Sequence, residues 1–113
     1  MLGDDHVRLP DMIDEAETAV AFVAGRSQDD LDRDRMLFHA LVRAIEVMGE
    51  AASRLSVEAR AVAPQVPWRD IVSMRNRLIH GYAAIDPDAL WKTATEDIPA
   101  LLPLLRALAT SND

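Results

Sequence analysis

Apolar residues recur at intervals of three and four along most of the chain, the spacing that lines one face of an α-helix. The first run, Leu9, Met12, Ile13, Ala16, Ala19, Val20 and Val23, predicts a helix from about Leu9 to Ala24. Pro10 fits best in its first turn, where a missing N–H is tolerated, and Gly25 stops it. Ser27, Asp29 and Asp30 ahead of Leu31 predict a short capped turn. The strongest pattern runs from about Asp34 to Leu55. Leu37, Leu41, Ala44, Met48, Ala51 and Leu55 form one stripe, and Phe38, Val42, Ile45, Gly49 and Ala52 form a second beside it. Together they exceed the roughly 100° arc that one core face needs. That width predicts burial on two sides, one against the domain's own core and one against a second subunit. Gly49 costs about 1 kcal/mol of helix propensity relative to alanine, and a close helix crossing would account for it. The remaining face carries His39, Arg43, Glu46, Glu50 and Ser53, with Glu50 and Arg54 spaced for a surface ion pair.

Beyond Leu55 the pattern shortens. Ser56 with Glu58 and Ala59 predicts a brief helix ending before Pro64, and Pro64-Gln65-Val66-Pro67 reads as a turn. A helix from about Trp68 to His80 follows, with Ile71, Met74 and Leu78 inward and Gly81 as its C-terminal stop. Asp86-Pro87 joins a capping side chain to a proline at the first helical position, opening a last helix through Leu90, Trp91 and Ala94. Pro99 and Pro103 are expected to kink or break that helix, with 100–108 as its continuation. The predicted fold is all-α: an up-and-down bundle of four main helices with short extra turns, one domain over residues 1–113 with its core in about 9–108.

Composition narrows the function. A chain of 113 residues makes one core and leaves much surface, so a buried dimer face would be economical. It has no run of about 18 apolar residues and no signal-like start, which predicts a soluble, unexported, cytoplasmic protein. Cysteine is absent, which excludes disulfides and thiolate metal sites. The 19 acidic against 12 basic side chains, a net charge of −7, argue against a protein that coats nucleic acid non-specifically. Any such contact must be local.

One segment is locally basic. Arg69, Arg75 and Arg77 outnumber Asp70 on the helix that ends at Gly81, and Arg75-Asn76-Arg77-Leu78-Ile79-His80-Gly81-Tyr82 gathers two arginines, an asparagine, a histidine and the only tyrosine. Arg75 offers a planar, always-charged fork for phosphate oxygens, and an imidazole such as His80 exchanges protons near neutrality. The pair suits RNA cleavage by the substrate's own 2′-hydroxyl, with His80 as general acid or base and Arg75 stabilising charge on the phosphoryl oxygens. No metal or cofactor is demanded. Five residues on a regular helix are about 140° apart, so Arg75 and His80 share a face only if the last turn unwinds or Arg75 reaches round. Each octet also supplies one histidine where an acid and a base are needed; a two-fold dimer supplies both. The same residues have plainer readings: His80 complementing a helix dipole, Arg75 paired with Glu46 or Glu50, Asn76 capping backbone, Tyr82 packing.

The order of features goes further. The Gly49-Glu50-Ala51-Ala52 block, Pro67-Trp68, and Arg75-Asn76 followed by His80 and Tyr82 resemble the HepT-like branch of the HEPN superfamily over roughly Leu9 to Leu108. The resemblance implies a four-helix HEPN fold, a homodimer, and the toxin half of a toxin–antitoxin pair whose partner is an MntA-type nucleotidyltransferase. It places a metal-independent ribonuclease site at the dimer cleft on Arg75 and His80, assisted by Asn76, with Glu50 in a family block that orients Arg75 or holds the helix crossing; Arg77 supports the site through the local positive charge. It makes Tyr82 the residue that the partner adenylylates to silence the toxin. Pro10 departs from the family's usually unbroken first helix. Two alternatives stay open: a non-catalytic helical module that binds a nucleotide or a nucleotidyltransferase, and a structural dimer whose octet is an ion-pair cluster.

Overall fold

The computed structural model describes residues 3–80 and 85–111, and among them the regular structure is entirely helical. The elements are α1 (Asp5–Val23), α2 (Asp30–Arg33), α3 (Arg35–Arg54), α4 (Val57–Val62), α5 (Trp68–Ile79), α6 (Pro87–Lys92), a π-helical turn (Thr93–Asp97) and α7 (Ile98–Ser111). No helix among the described residues is long and apolar enough to cross a membrane.

Capping side chains set three of the predicted starts. The Asp34 carboxylate accepts from Leu37 N at 3.1 Å, Ser56 Oγ accepts from Ala59 N at 3.0 Å, and Asp86 accepts from Asp88 N at 2.9 Å. Each satisfies an N–H that the helix itself leaves open. Gly25 follows α1 with φ of +74°, a conformation that suits a residue without a Cβ.

α1 departs from the sequence reading. It begins at Asp5 rather than near Leu9, so Pro10 lies in its second turn, inside the helix. The cause is a contact 51 residues away along the chain: buried Asp5 accepts from Ser56 N at 2.9 Å and from Ser56 Oγ at 2.6 Å. That anchor ties the start of α1 to the start of α4 and holds helix upstream of a proline that would otherwise begin it. The last helix also differs. α6, the π turn and α7 follow one another without a break, and Pro103 sits inside α7. The wider turn stands directly ahead of Pro99, whose ring crowds the carbonyl one turn earlier and which has no N–H to donate.

α3 is the centre of the core. α1 packs along one side of it and α5 along another, while α7 closes against α1. Leu37, Leu41, Ala44, Met48, Ala51 and Leu55 are all buried, and so are Phe38, Val42, Ile45, Gly49 and Ala52. Both stripes are therefore covered by helices of the same chain. The width of this apolar surface gives no reason to place a second subunit against α3, contrary to the sequence expectation.

Candidate functional site

Gly49 determines where α5 can lie. A Cβ built at Gly49 would collide with Arg75 Cβ and stand 3.0 Å from Arg75 Cγ and 3.3 Å from the Ile71 carbonyl oxygen. Only a residue without a side chain lets the two helices approach this closely. The crossing sets Arg75 beside Glu50, the residue that follows Gly49 on α3.

Two side chains then fix the arginine, and a third fixes one of them. Arg75 Nη2 donates to Glu50 Oε2, and Arg75 Nη1 donates to Asn76 Oδ1 at 2.7 Å. The other Glu50 oxygen accepts from Arg54 Nε at 2.7 Å. Of the two acids the sequence offers to Arg75, Glu50 takes it; Glu46 pairs with Arg43 at 2.9 Å. The Arg54 hydrogen bond, with the charge and hydrogen bond of Arg75, holds the Glu50 carboxyl below its ordinary range against the opposing effect of desolvation. A guanidinium carries five N–H donors, so an arginine held at two nitrogens still has donors to present to an anion. Asn76, by accepting from Arg75, leaves its own amide N–H groups free to do the same.

His80 ends α5. It follows the last helical residue, Ile79, and its backbone N–H closes onto the Arg77 carbonyl at 3.4 Å, a tight final turn. The imidazole is exposed. Asn76 and His80, four residues apart, share one face of α5, whereas Arg75 points toward α3. The expected 140° separation is thus present in the backbone and is bridged in part by the Arg75 to Asn76 hydrogen bond. Asn76 lines a shallow groove with Arg60, Trp68 and Arg69, while His80 lines a separate cavity with Met74 and Arg77. Gly81 and Tyr82 lie outside the described residues. Among those described, no three His, Cys, Asp or Glu side chains group closely enough to hold a metal ion.

The long-range anchor of Asp5 on Ser56 and the cavity beside His80 escaped the sequence reading. The first carries no local signal. The second is made by Ile85, Ala89 and Leu90 closing on α5, a tertiary event that no spacing records.

Comparison with known proteins yields a family and individual relatives. The family described as "Ribonuclease HepT-like" matches residues 12–108. A Thermococcus cleftensis protein named "probable ribonuclease HepT" is 36% identical over 93 residues, covering 82% of this chain and 84% of its own length. A Methanocaldococcus jannaschii protein whose name reads "putative RNase" is 34% identical over 93 residues, covering 82% of this chain and 85% of its own. A Caldanaerobacter subterraneus protein named in the same way is 37% identical, covering 82% and 83%. No solved structure matches significantly.

Proposed function

Because the chain belongs to the ribonuclease HepT-like family of the HEPN superfamily, we propose that it is a metal-independent RNA endonuclease centred on Arg75, Asn76 and His80. The observation that carries this reading is the fixed arginine: Glu50 and Asn76 hold Arg75 on α5, five residues before the exposed imidazole of His80. In the reaction the substrate's 2′-hydroxyl loses its proton to an imidazole and its oxygen attacks the adjacent phosphorus. The bond from phosphorus to the 5′-oxygen breaks, and that oxygen takes a proton, leaving a 2′,3′-cyclic phosphate and a 5′-hydroxyl. Arg75 stabilises the charge that grows on the non-bridging oxygens. Asn76 orients Arg75 and offers amide hydrogens to the same oxygens.

Base and acid come from two copies of His80, so the working unit is a two-fold homodimer whose α5 ends meet in one cleft. Silencing follows from chemistry two residues away. A nucleotidyltransferase partner of the MntA type, encoded as the antitoxin, adenylylates Tyr82. Each added nucleotide brings a phosphate negative charge and a bulky base beside His80, which repels RNA and occupies the phosphate site.

The test is cleavage of RNA by the purified protein in EDTA. Wild type should cut and leave cyclic phosphate ends, and His80→Ala should not. Cleavage that survives His80→Ala undiminished would remove the assignment. Mass spectrometry of the protein co-expressed with a neighbouring nucleotidyltransferase reads the state of Tyr82; an unmodified tyrosine under those conditions would remove the proposed switch.

A further inference from the structure

α5 also presents Met74 and Arg77, which take part in neither the Glu50 pair nor the Asn76 hydrogen bond. Met74, Arg77 and His80 form one wall of a cavity of about 300 Å³, and Ile85, Ala89 and Leu90 close the other side. Met74 and Arg77 also line a neighbouring cleft of about 490 Å³ that runs back toward Met48 on α3 and Leu101 on α7. The walls are mostly apolar. Arg77 is exposed and has no ion pair among the described residues; its guanidinium donates to the Met74 sulfur at 3.9 Å. Asp86 lines the cavity too, but one of its oxygens is committed to the Asp88 N–H as the cap of α6. A ligand suited to this place is flat and apolar at one end and anionic at the other. His80 stands in the same wall, so whatever enters the cavity lies against the proposed proton-transfer group.

We propose that this cavity receives the base of the RNA nucleotide next to the scissile phosphate, and that Arg77 grips a phosphate of the same strand. The proposal rests on the ribonuclease reading and deepens it: Arg77 becomes a substrate-positioning residue rather than a bystander of the octet, and the pocket sets the register in which the strand meets His80. Binding a base on apolar walls with a cation at the mouth is sequence-tolerant, since every base has apolar faces. The enzyme should therefore need an unpaired nucleotide here more than any particular base.

Ala89 is exposed on α6 at the cavity's edge, so Ala89→Trp fills the space without disturbing the core. With single-stranded RNA, Ala89→Trp should raise KM about tenfold, the loss of roughly one stacked base, while kcat at saturation holds. On RNA made abasic at the nucleotide beside the cut, wild type and Ala89→Trp should have the same KM. Arg77→Gln should flatten the dependence of log affinity on log salt by about one phosphate contact. Equal KM for wild type and Ala89→Trp on intact RNA would overturn the pocket and leave the ribonuclease reading standing. If wild type cuts nothing, that reading falls, and anisotropy titration with an RNA carrying 2′-deoxy at the scissile position still decides the pocket: weaker binding by Ala89→Trp supports it and equal binding overturns it. A change in the mass of the assembly by light scattering on Ala89→Trp, with RNA affinity unaltered, would assign the face to a second copy of the chain and overturn the proposal.

Discussion

Gly49→Ala sets two effects of known sign against each other. On an isolated helix the change would stabilise α3 by about 1 kcal/mol. In the folded chain the new methyl would land on Arg75 Cβ and stand 3.0 Å from Arg75 Cγ and 3.3 Å from the Ile71 carbonyl oxygen. Carbon atoms rest about 3.5–4.0 Å apart, so α5 must withdraw on the order of 1 Å. Rotation of the arginine cannot relieve the collision, because the atom struck is bonded to the backbone. Overpacking of this kind costs about 1–3 kcal/mol, and a contact so near the main chain belongs in the upper half of that range. Subtracting the propensity gain leaves a loss of about 1–2 kcal/mol, which for a domain of this size lowers Tm by roughly 5–10 °C. Thermal and urea denaturation of the two proteins check the number. RNA cleavage measured well below either Tm should fall by more than the unfolded fraction, because the displaced helix carries Arg75. A variant as stable as wild type, or more so, would refute the close crossing and with it the account of how Arg75 is placed.

Asp5→Ala removes the acceptor for both the Ser56 N–H and hydroxyl; with part-buried donors left without it, the change should cost about 1–2 kcal/mol in urea denaturation, and α1 should fray back toward Pro10 by hydrogen exchange. Asp34→Ala deletes the cap of α3 and should cost about 1 kcal/mol, whereas Asp34→Asn should cost far less. Glu50→Gln bears on acid stability. The folded Glu50 carboxyl is held below its ordinary range, first by Arg54 and then by Arg75, so its contribution is full above the unfolded carboxyl's pKa and disappears as pH falls through the lowered folded value. The stability difference between wild type and Glu50→Gln should therefore shrink on acidification; a difference that grows toward low pH would contradict the ion pairing. The same variant should bind RNA more tightly, having lost a negative charge, yet turn it over more slowly, having loosened Arg75. Separate measurement of KM and kcat distinguishes the two effects.

Where a structural cause sits within a few residues of its effect, the sequence announced it. Asp34, Ser56 and Asp86 each cap a helix within three positions of themselves, and the starts of α3, α4 and α6 were legible for that reason. The start of α1 was not, because its cause is Ser56, 51 residues on. Gly49 could be read as a crossing point, since a glycine in an apolar helix face needs a reason, but not as the seat of Arg75. Glu50 was visible as a partner for Arg54 through their spacing; only packing decided between Glu46 and Glu50 for Arg75. The second stripe of α3 shows the limit most clearly. Periodicity reports that a face is buried and is silent about which chain buries it.

A two-chain site has to be sought away from α3. With α3 covered by α1 and α5, its apolar width no longer speaks for a dimer, and the case rests on the chemistry at the end of α5. One chain presents Asn76 and His80 on a common face, about 40° apart by helix geometry, with the guanidinium of Arg75 drawn toward that face by Asn76 and held from behind by Glu50. In the proposed reaction it would supply a cation for the phosphate and one imidazole, enough to bind a phosphate and move one proton. A transesterification moves two, one off the 2′-oxygen and one onto the leaving 5′-oxygen. Pairing on the outer face of α5, where Val72 is half-buried and Ile79 exposed, would supply the second imidazole without disturbing any contact that holds Arg75. The interface the chemistry asks for is therefore a small one around the octet rather than an extended one along α3. Its dissociation should respond to Ile79→Asp far more than to any charge reversal on the exposed face of α3, such as Arg43→Glu. Dimer mass unchanged by Ile79→Asp would place the pairing elsewhere.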